Sequence, residues 1–158
     1  MTLSSIIDCD ADPYCPKTKT HSGKRWRVVE HRKGGQLEWS SDKIELYLMG
    51  GPKKGVINGH KLLKNLEDKP VLNANVLDYL MVPEKQHLFP EDWKGRSVYF
   101  WGTIYREPFG TLAVRFCHFS VILANKRDCD EWARKWGQAY YSLDSDFNDS
   151  DFAVLLRS

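Results

Sequence analysis

The sequence predicts an α+β fold, a single domain with a C-terminal antiparallel sheet and two or three short central helices. Three observations carry that class. Two long apolar, aromatic and β-branched runs, 98–106 and 112–123, are joined by Pro108-Phe109-Gly110. This is the composition of a three-residue hairpin loop built on a type I turn with glycine left-handed at its end. Between residues 57 and 81, two segments repeat one pattern: an apolar residue, an asparagine, then leucines at helical spacing. A chain of 158 residues suits one domain that buries roughly 70% of its unfolded surface.

Taken in order, 1–23 lacks periodicity and is rich in Asp, Pro, Thr and Lys, which predicts an extended or flexible N-terminal arm leading into a domain over 24–158. Trp26-Arg27-Val28-Val29-Glu30-His31 and Gln36-Leu37-Glu38-Trp39 flank Arg32-Lys33-Gly34-Gly35, the pattern of a first hairpin with a glycine turn. Ser41 as an N-cap favours a short helix over 42–49, with a strand as the alternative. Three glycines and a proline in 50–55 make that stretch a loop.

Asn58 then caps a helix whose apolar face is Leu62, Leu63 and Leu66, with Ile57 stapled onto Leu62. Asn73 caps a second, with Leu72 stapled onto Leu77 and a face of Val76, Leu77, Leu80 and Met81. Pro70 and Pro83 end these helices, and Pro90-Glu91-Asp92 opens a further helical turn.

In the hairpin, facing Glu107 with Thr111 pairs Ile104 with Val114, Tyr105 with Ala113, Gly102 with Phe116 and Tyr99 with Phe119. Phe116 would then cover the gap at Gly102. Both faces are apolar, so these strands are expected to be central and covered on both sides. Beyond a charged turn at 125–128, Trp132, Trp136 and Tyr140 fit a helix stripe or one strand face; their aromatic character favours a strand over 131–143. Residues 152–156 read as a final buried strand.

LNANVLDYL at 72–80, FPEDWKG at 89–95, FWGTIYR at 100–106 and LDSDF at 143–147 together resemble a group of small uncharacterised bacterial proteins. The resemblance spans most of the chain from Asp12 and is most specific in the central blocks. It implies kinship and carries no activity, cofactor or fold. It weakens over 125–137, where this chain has more Lys, Arg and Asp.

With 42% hydrophobic and 28% charged residues, the composition is that of a soluble globular protein. No apolar run approaches the roughly 20 residues a membrane helix needs. Asp8, Asp10 and Asp12 follow a short apolar start, unlike a secretory leader. A cytoplasmic location with Cys9, Cys15, Cys117 and Cys129 reduced is therefore expected. Neither cysteine pair has the two-to-four-residue knuckle of a structural zinc site. Asp8-Asp10-Asp12 and Asp144-Asp146-Asn148 have calcium-loop spacing but lack its glycine and closing glutamate. No nucleophile elbow or P-loop occurs, so no catalytic residue, metal or cofactor is assigned.

Three functional expectations follow. The first is a non-enzymatic protein that engages another protein through exposed aromatic and charged residues, with Arg106, Glu107, Asp144, Asp146 and Asp149 as candidates. The second is nucleic-acid binding. Residues 17–33 hold seven Lys and Arg against Glu30 alone, and Lys24, Arg25, Trp26, Arg27, Arg32 and Lys33 supply phosphate-seeking charge with Trp26 as a stacking ring. The third is a small hydrolase using His118, Glu107 and Asp146.

Overall fold

The computed structural model describes residues 6–49, 56–123 and 132–157; the loop expected at 50–55 and the charged turn at 125–128 lie outside the described residues. Along the chain come β1 (Ile6–Asp8), β2 (Arg27–His31), β3 (Gln36–Glu38), β4 (Ile44–Leu48), β5 (Ile57–Asn58), α1 (Gly59–Asn65), α2 (Ala74–Met81), β6 (Ser97–Arg106), β7 (Leu112–Leu123), β8 (Trp132–Ser142), β9 (Asp146–Phe147) and β10 (Asp151–Leu156), with 3-10 turns at Ser41–Lys43, Pro83–Leu88 and Glu91–Trp93.

The main sheet has the order β4-β10-β6-β7-β8, and β2 also pairs with β6. The α+β class holds, but the sheet is neither C-terminal alone nor purely antiparallel. β10 lies parallel to β6 and antiparallel to β4, so N-terminal strands are recruited on one side. The sequence of β10 explains its place: Ala153, Val154 and Leu155 are all buried, a run that needs cover on both faces.

Both faces of the sheet are covered. Leu72, Val76, Leu77 and Leu80 of the α2 segment pack with Val98, Phe100, Cys117, Trp136 and Val154, joined by Ile7, Trp39, Phe89 and Trp93. On the opposite face Leu62 and Leu66 pack with Tyr99, Trp101, Ile104, Val114, Phe147 and Leu155. Asn58 and Asn73 cap as expected, their side chains accepting from the His60 and Asn75 amides.

The hairpin loop closes as the sequence predicts. Glu107 N–H donates to Thr111 O at 2.8 Å, Gly110 N–H donates to Glu107 O at 2.8 Å, and Gly110 has φ +99°. The register holds for Ile104 with Val114 and Tyr105 with Ala113, then departs: Tyr99 faces Phe116 and Val98 faces Cys117. Residues 100–103 form a wide bulge, which inverts the alternation of β6. Tyr99 and Trp101 face α1, and so does Ile104 beyond the bulge.

The bulge exists because another backbone enters there. Gly102 N–H donates to Leu72 O at 2.9 Å, and Arg32 N–H donates to Gly102 O at 2.7 Å. A Cβ on Gly102 would sit 2.8 Å from Leu72 O and from Asn73 Cα. Gly102 is therefore not a gap covered by Phe116, which instead stacks on Tyr99 at 4.8 Å.

Two further expectations are corrected. β2 and β3 do not form a hairpin: β2 pairs with β6 and β3 with β1. Their link is held outward by Gly102 O and by Asp10, whose Oδ1 accepts from Gly35 N–H at 2.9 Å. The segment read as a short helix is one 3-10 turn capped by Ser40, followed by β4. The open edge of β10 offers five residues a complete ladder, which overrides the local helical preference. The strand expected over 131–143 is β8. In the stretch read as an arm, β1 pairs with β3, and Ile7 and Cys9 are buried.

A buried polar knot pins α2 to this framework. Asn73 is 3% exposed; its Nδ2 donates to Cys9 O and Arg32 O, both at 2.9 Å. Ala74 N–H donates to Thr103 Oγ1 at 2.9 Å. Nε2 of His31 lies 3.1 Å from Cys9 O, an acceptor, and Nδ1 lies 2.9 Å from Thr103 Oγ1. A neutral ring satisfies both contacts with Nε2 donating and the threonine hydroxyl donating to Nδ1. Asn73→Ala removes the cap and strips two buried carbonyls of a donor. A loss of about 2 kcal/mol is expected in urea unfolding; a loss near zero would mean that water replaces the amide.

Candidate functional site

The hairpin loop and the segment before β2 build one groove. Thr20 N–H donates to Lys24 O and Gly23 N–H to Thr20 O, both at 2.9 Å, and Gly23 has φ +85°. This tight turn delivers Lys24, Arg25, Trp26 and Arg27 alongside Arg106, Glu107, Pro108 and Phe109, enclosing about 500 Å³. Among the described residues, four cations thus face one acid. Phe109 is 83% exposed at the loop tip, and Arg106 Nη1 donates to Gly110 O at 2.7 Å, which steadies the loop.

Trp26 is held in place from behind. Its ring centroid lies 4.8 Å from that of Tyr140, and Tyr140 meets Tyr105 edge-on at 5.1 Å. The Tyr105 hydroxyl donates to Tyr14 O at 2.9 Å, and burial pushes its pKa up to about 12, so it stays protonated. Under these rings lies Arg115, 2% exposed. Its Nη1 is 2.8 Å from Asp78 Oδ1 on α2, and its Nε donates to Gln138 Oε1 at 3.1 Å. Burial works to lower the Arg115 pKa, but Asp78, Tyr105 and Tyr140 outweigh it and raise it. The guanidinium is charged throughout. The Tyr140 hydroxyl is buried and has no hydrogen-bond partner among the described residues.

The structure thus sorts the candidates. Arg106 and Glu107 join Lys24, Arg25, Trp26 and Arg27 in one groove, while Arg32 and Lys33 line a separate cavity beside Leu72. Asp144, Asp146 and Asp149 belong to the turns around β9. Asp144 Oδ1 lies 2.6 Å from His60 Nε2, the Asp146 backbone pairs with Asn58, and Asp149 is exposed in the following turn. That turn is tied by its own side chains: Asn148 Oδ1 accepts from Ser150 N–H at 2.9 Å, and Asp151 Oδ2 accepts from Asn148 N–H at 2.9 Å. Burial raises the Asp151 pKa.

His118, Glu107 and Asp146 do not converge. His118 stands roughly 20 Å along β7 from the Glu107 turn, its ring over Gly137. Burial pushes the Cys117 and Cys9 thiols up, which disfavours the thiolate a nucleophile needs. Among the described residues no group of three or more His, Cys, Asp and Glu is placed to hold a metal ion, and no described helix is long and apolar enough to cross a membrane.

Sequence reasoning missed the Arg115 cluster. A signal was present: an arginine inside an apolar strand, alternating with Val114 and Phe116, is a buried charge that requires a partner. The chain matches no protein-family model, no curated protein and no solved structure.

Proposed function

We propose that this protein is a non-enzymatic binding protein whose groove between residues 23–27 and 106–110 receives single-stranded nucleic acid. The observation that supports this reading is the composition of that groove: Lys24, Arg25, Arg27 and Arg106 around one acid, with Trp26 and Phe109 beside them. Cations attract the phosphate chain irrespective of sequence, and aromatic rings stack on bases with little selectivity. Trp26 is already fixed on Tyr140, so ordering it on binding costs little.

Fluorescence anisotropy with a labelled single-stranded oligonucleotide tests the reading. Neutralising three or four phosphates implies a fall in affinity of about 20- to 50-fold between 50 and 200 mM salt. Arg27→Glu with Arg106→Glu should abolish binding. Phe109→Ala, at an exposed position, should weaken it about 5- to 10-fold with no change in melting temperature. Binding indifferent to salt, or to these substitutions, overturns the proposal.

The exposure of Phe109 beside Arg106 and Glu107 favours a second reading, an aromatic anchor with a charged rim that docks into another protein. A salt-tolerant protein complex lost on Phe109→Ala, without oligonucleotide binding, would establish that reading instead.

A further inference from the structure

Arg32 and Lys33, two cations of the basic segment that the groove does not use, line a second cavity of about 220 Å³. It opens where the β2–β3 link, the chain entering α2 and the end of β10 meet. Its walls are Leu37, Pro70, Val71, Leu72 and Leu156, with Cys9 and Asn73 at the back and Arg32, Lys33 and Lys69 as its charged residues. No acid lines it.

Asn73 and Arg32 are already engaged, and the two lysines are not neutralised among the described residues. Both Asn73 Nδ2 contacts are to backbone carbonyls, and Arg32 spends Nη1 on Leu66 O and Lys69 O and Nε on Glu30. Asp10 is bound to the Gly35 amide. Lys33 is exposed and makes no hydrogen bond or ion pair among the described residues. Lys69 rests its ammonium over the Tyr47 ring at 4.9 Å, an interaction that leaves its charge unneutralised.

An apolar chamber with cations and no acid in its lining selects a ligand with an apolar body and one negative head. The volume equals about seven water molecules at ~30 Å³ each, below the usual range of drug-sized sites. We infer that this cavity is a binding site for a small monocarboxylate with a short aliphatic or aromatic body, the body against Leu37, Val71, Leu72 and Leu156 and the carboxylate between Lys33 and Lys69. The site is independent of the nucleic-acid groove.

Titration of the full chain with octanoate, followed by calorimetry and by the NMR signals of the Leu37, Val71, Leu72 and Leu156 methyl groups, tests the inference. Octanoate should bind and shift those methyls, while 1-octanol and inorganic phosphate, each lacking one half of the recognition, should bind at least tenfold more weakly. Gly34 offers a way to block the chamber without disturbing the fold, because a Cβ there would meet Cys9 Cβ at an ordinary 3.5 Å. Gly34→Phe should abolish octanoate binding. Lys33→Met with Lys69→Met should weaken octanoate at least tenfold and leave octanol unchanged. The site is refuted by no octanoate binding at millimolar concentration, by octanol binding equally well, or by octanoate binding that survives Gly34→Phe.

Discussion

Asp78→Ala is expected to destabilise the protein by about 3 kcal/mol, because it leaves the Arg115 guanidinium charged, 2% exposed and without its counter-ion. Removing one partner of a buried pair costs more than removing both, since the survivor loses its hydration and gains nothing in return. The Asp78 side chain is itself 37% exposed, which places the loss at the lower end of the usual range for such pairs. Arg115→Met in the Asp78→Ala background should restore most of the lost stability. Urea unfolding followed by tryptophan fluorescence measures both. A single variant within 1 kcal/mol of wild type would show that water reaches the guanidinium and that the pair is not the tie between α2 and β7.

The largest effect is expected at Gly102. A β-carbon there meets Leu72 O and Asn73 Cα at 2.8 Å. Both are backbone atoms, so relief requires α2 to withdraw from β6 rather than a side chain to turn. Overpacking of a core costs about 1–3 kcal/mol when side chains can yield; here Gly102→Ala should exceed that and leave little folded protein at 37 °C. The withdrawal also threatens the Gly102 N–H to Leu72 O bond and the contact of Ala74 N–H with Thr103. Gly34→Ala, whose methyl would make only an ordinary contact with Cys9 Cβ at 3.5 Å, is the matched control and should change stability by less than about 1 kcal/mol. Equal melting temperatures for the two variants would refute the close approach.

Local chemistry made several elements legible in the sequence. The Pro108-Phe109-Gly110 loop, the Asn58 and Asn73 caps, and the strand character of 132–142 and 151–156 each depend on residues within a few positions of one another. What escaped was set by distant segments. The bulge at 100–103 is imposed by Leu72 and Asn73, thirty residues earlier. The separation of β2 from β3 depends on Gly102 and Asp10, and β4 is a strand because β10 lies beside it. A register drawn from a hairpin loop alone carries no information about a third chain that inserts into it. The candidate site divides in the same way: clustered charge over 24–27 was visible, but its meeting with Arg106 and Phe109 required the fold, as did the pairing of Arg115 with Asp78.

The position of β10 has a consequence for how the protein is made. Among the strands of the main sheet it is the last to be synthesised, yet it lies between β4 and β6. While the ribosome is still adding residues 151–156, β4 lacks its partner among the described strands, and the N-terminal half of β6 lacks β10 on one side. Those edges carry Ile44, Leu46, Val98 and Tyr99, an adhesive surface for any other nascent chain. Pairing β4 with β10 joins residues about a hundred positions apart, a long loop to close and therefore a slow step. The hairpin of β6 and β7 can assemble before β10 exists, but the sheet closes only when residues 151–156 are in place between β4 and β6, so until then these edges are open to aggregation.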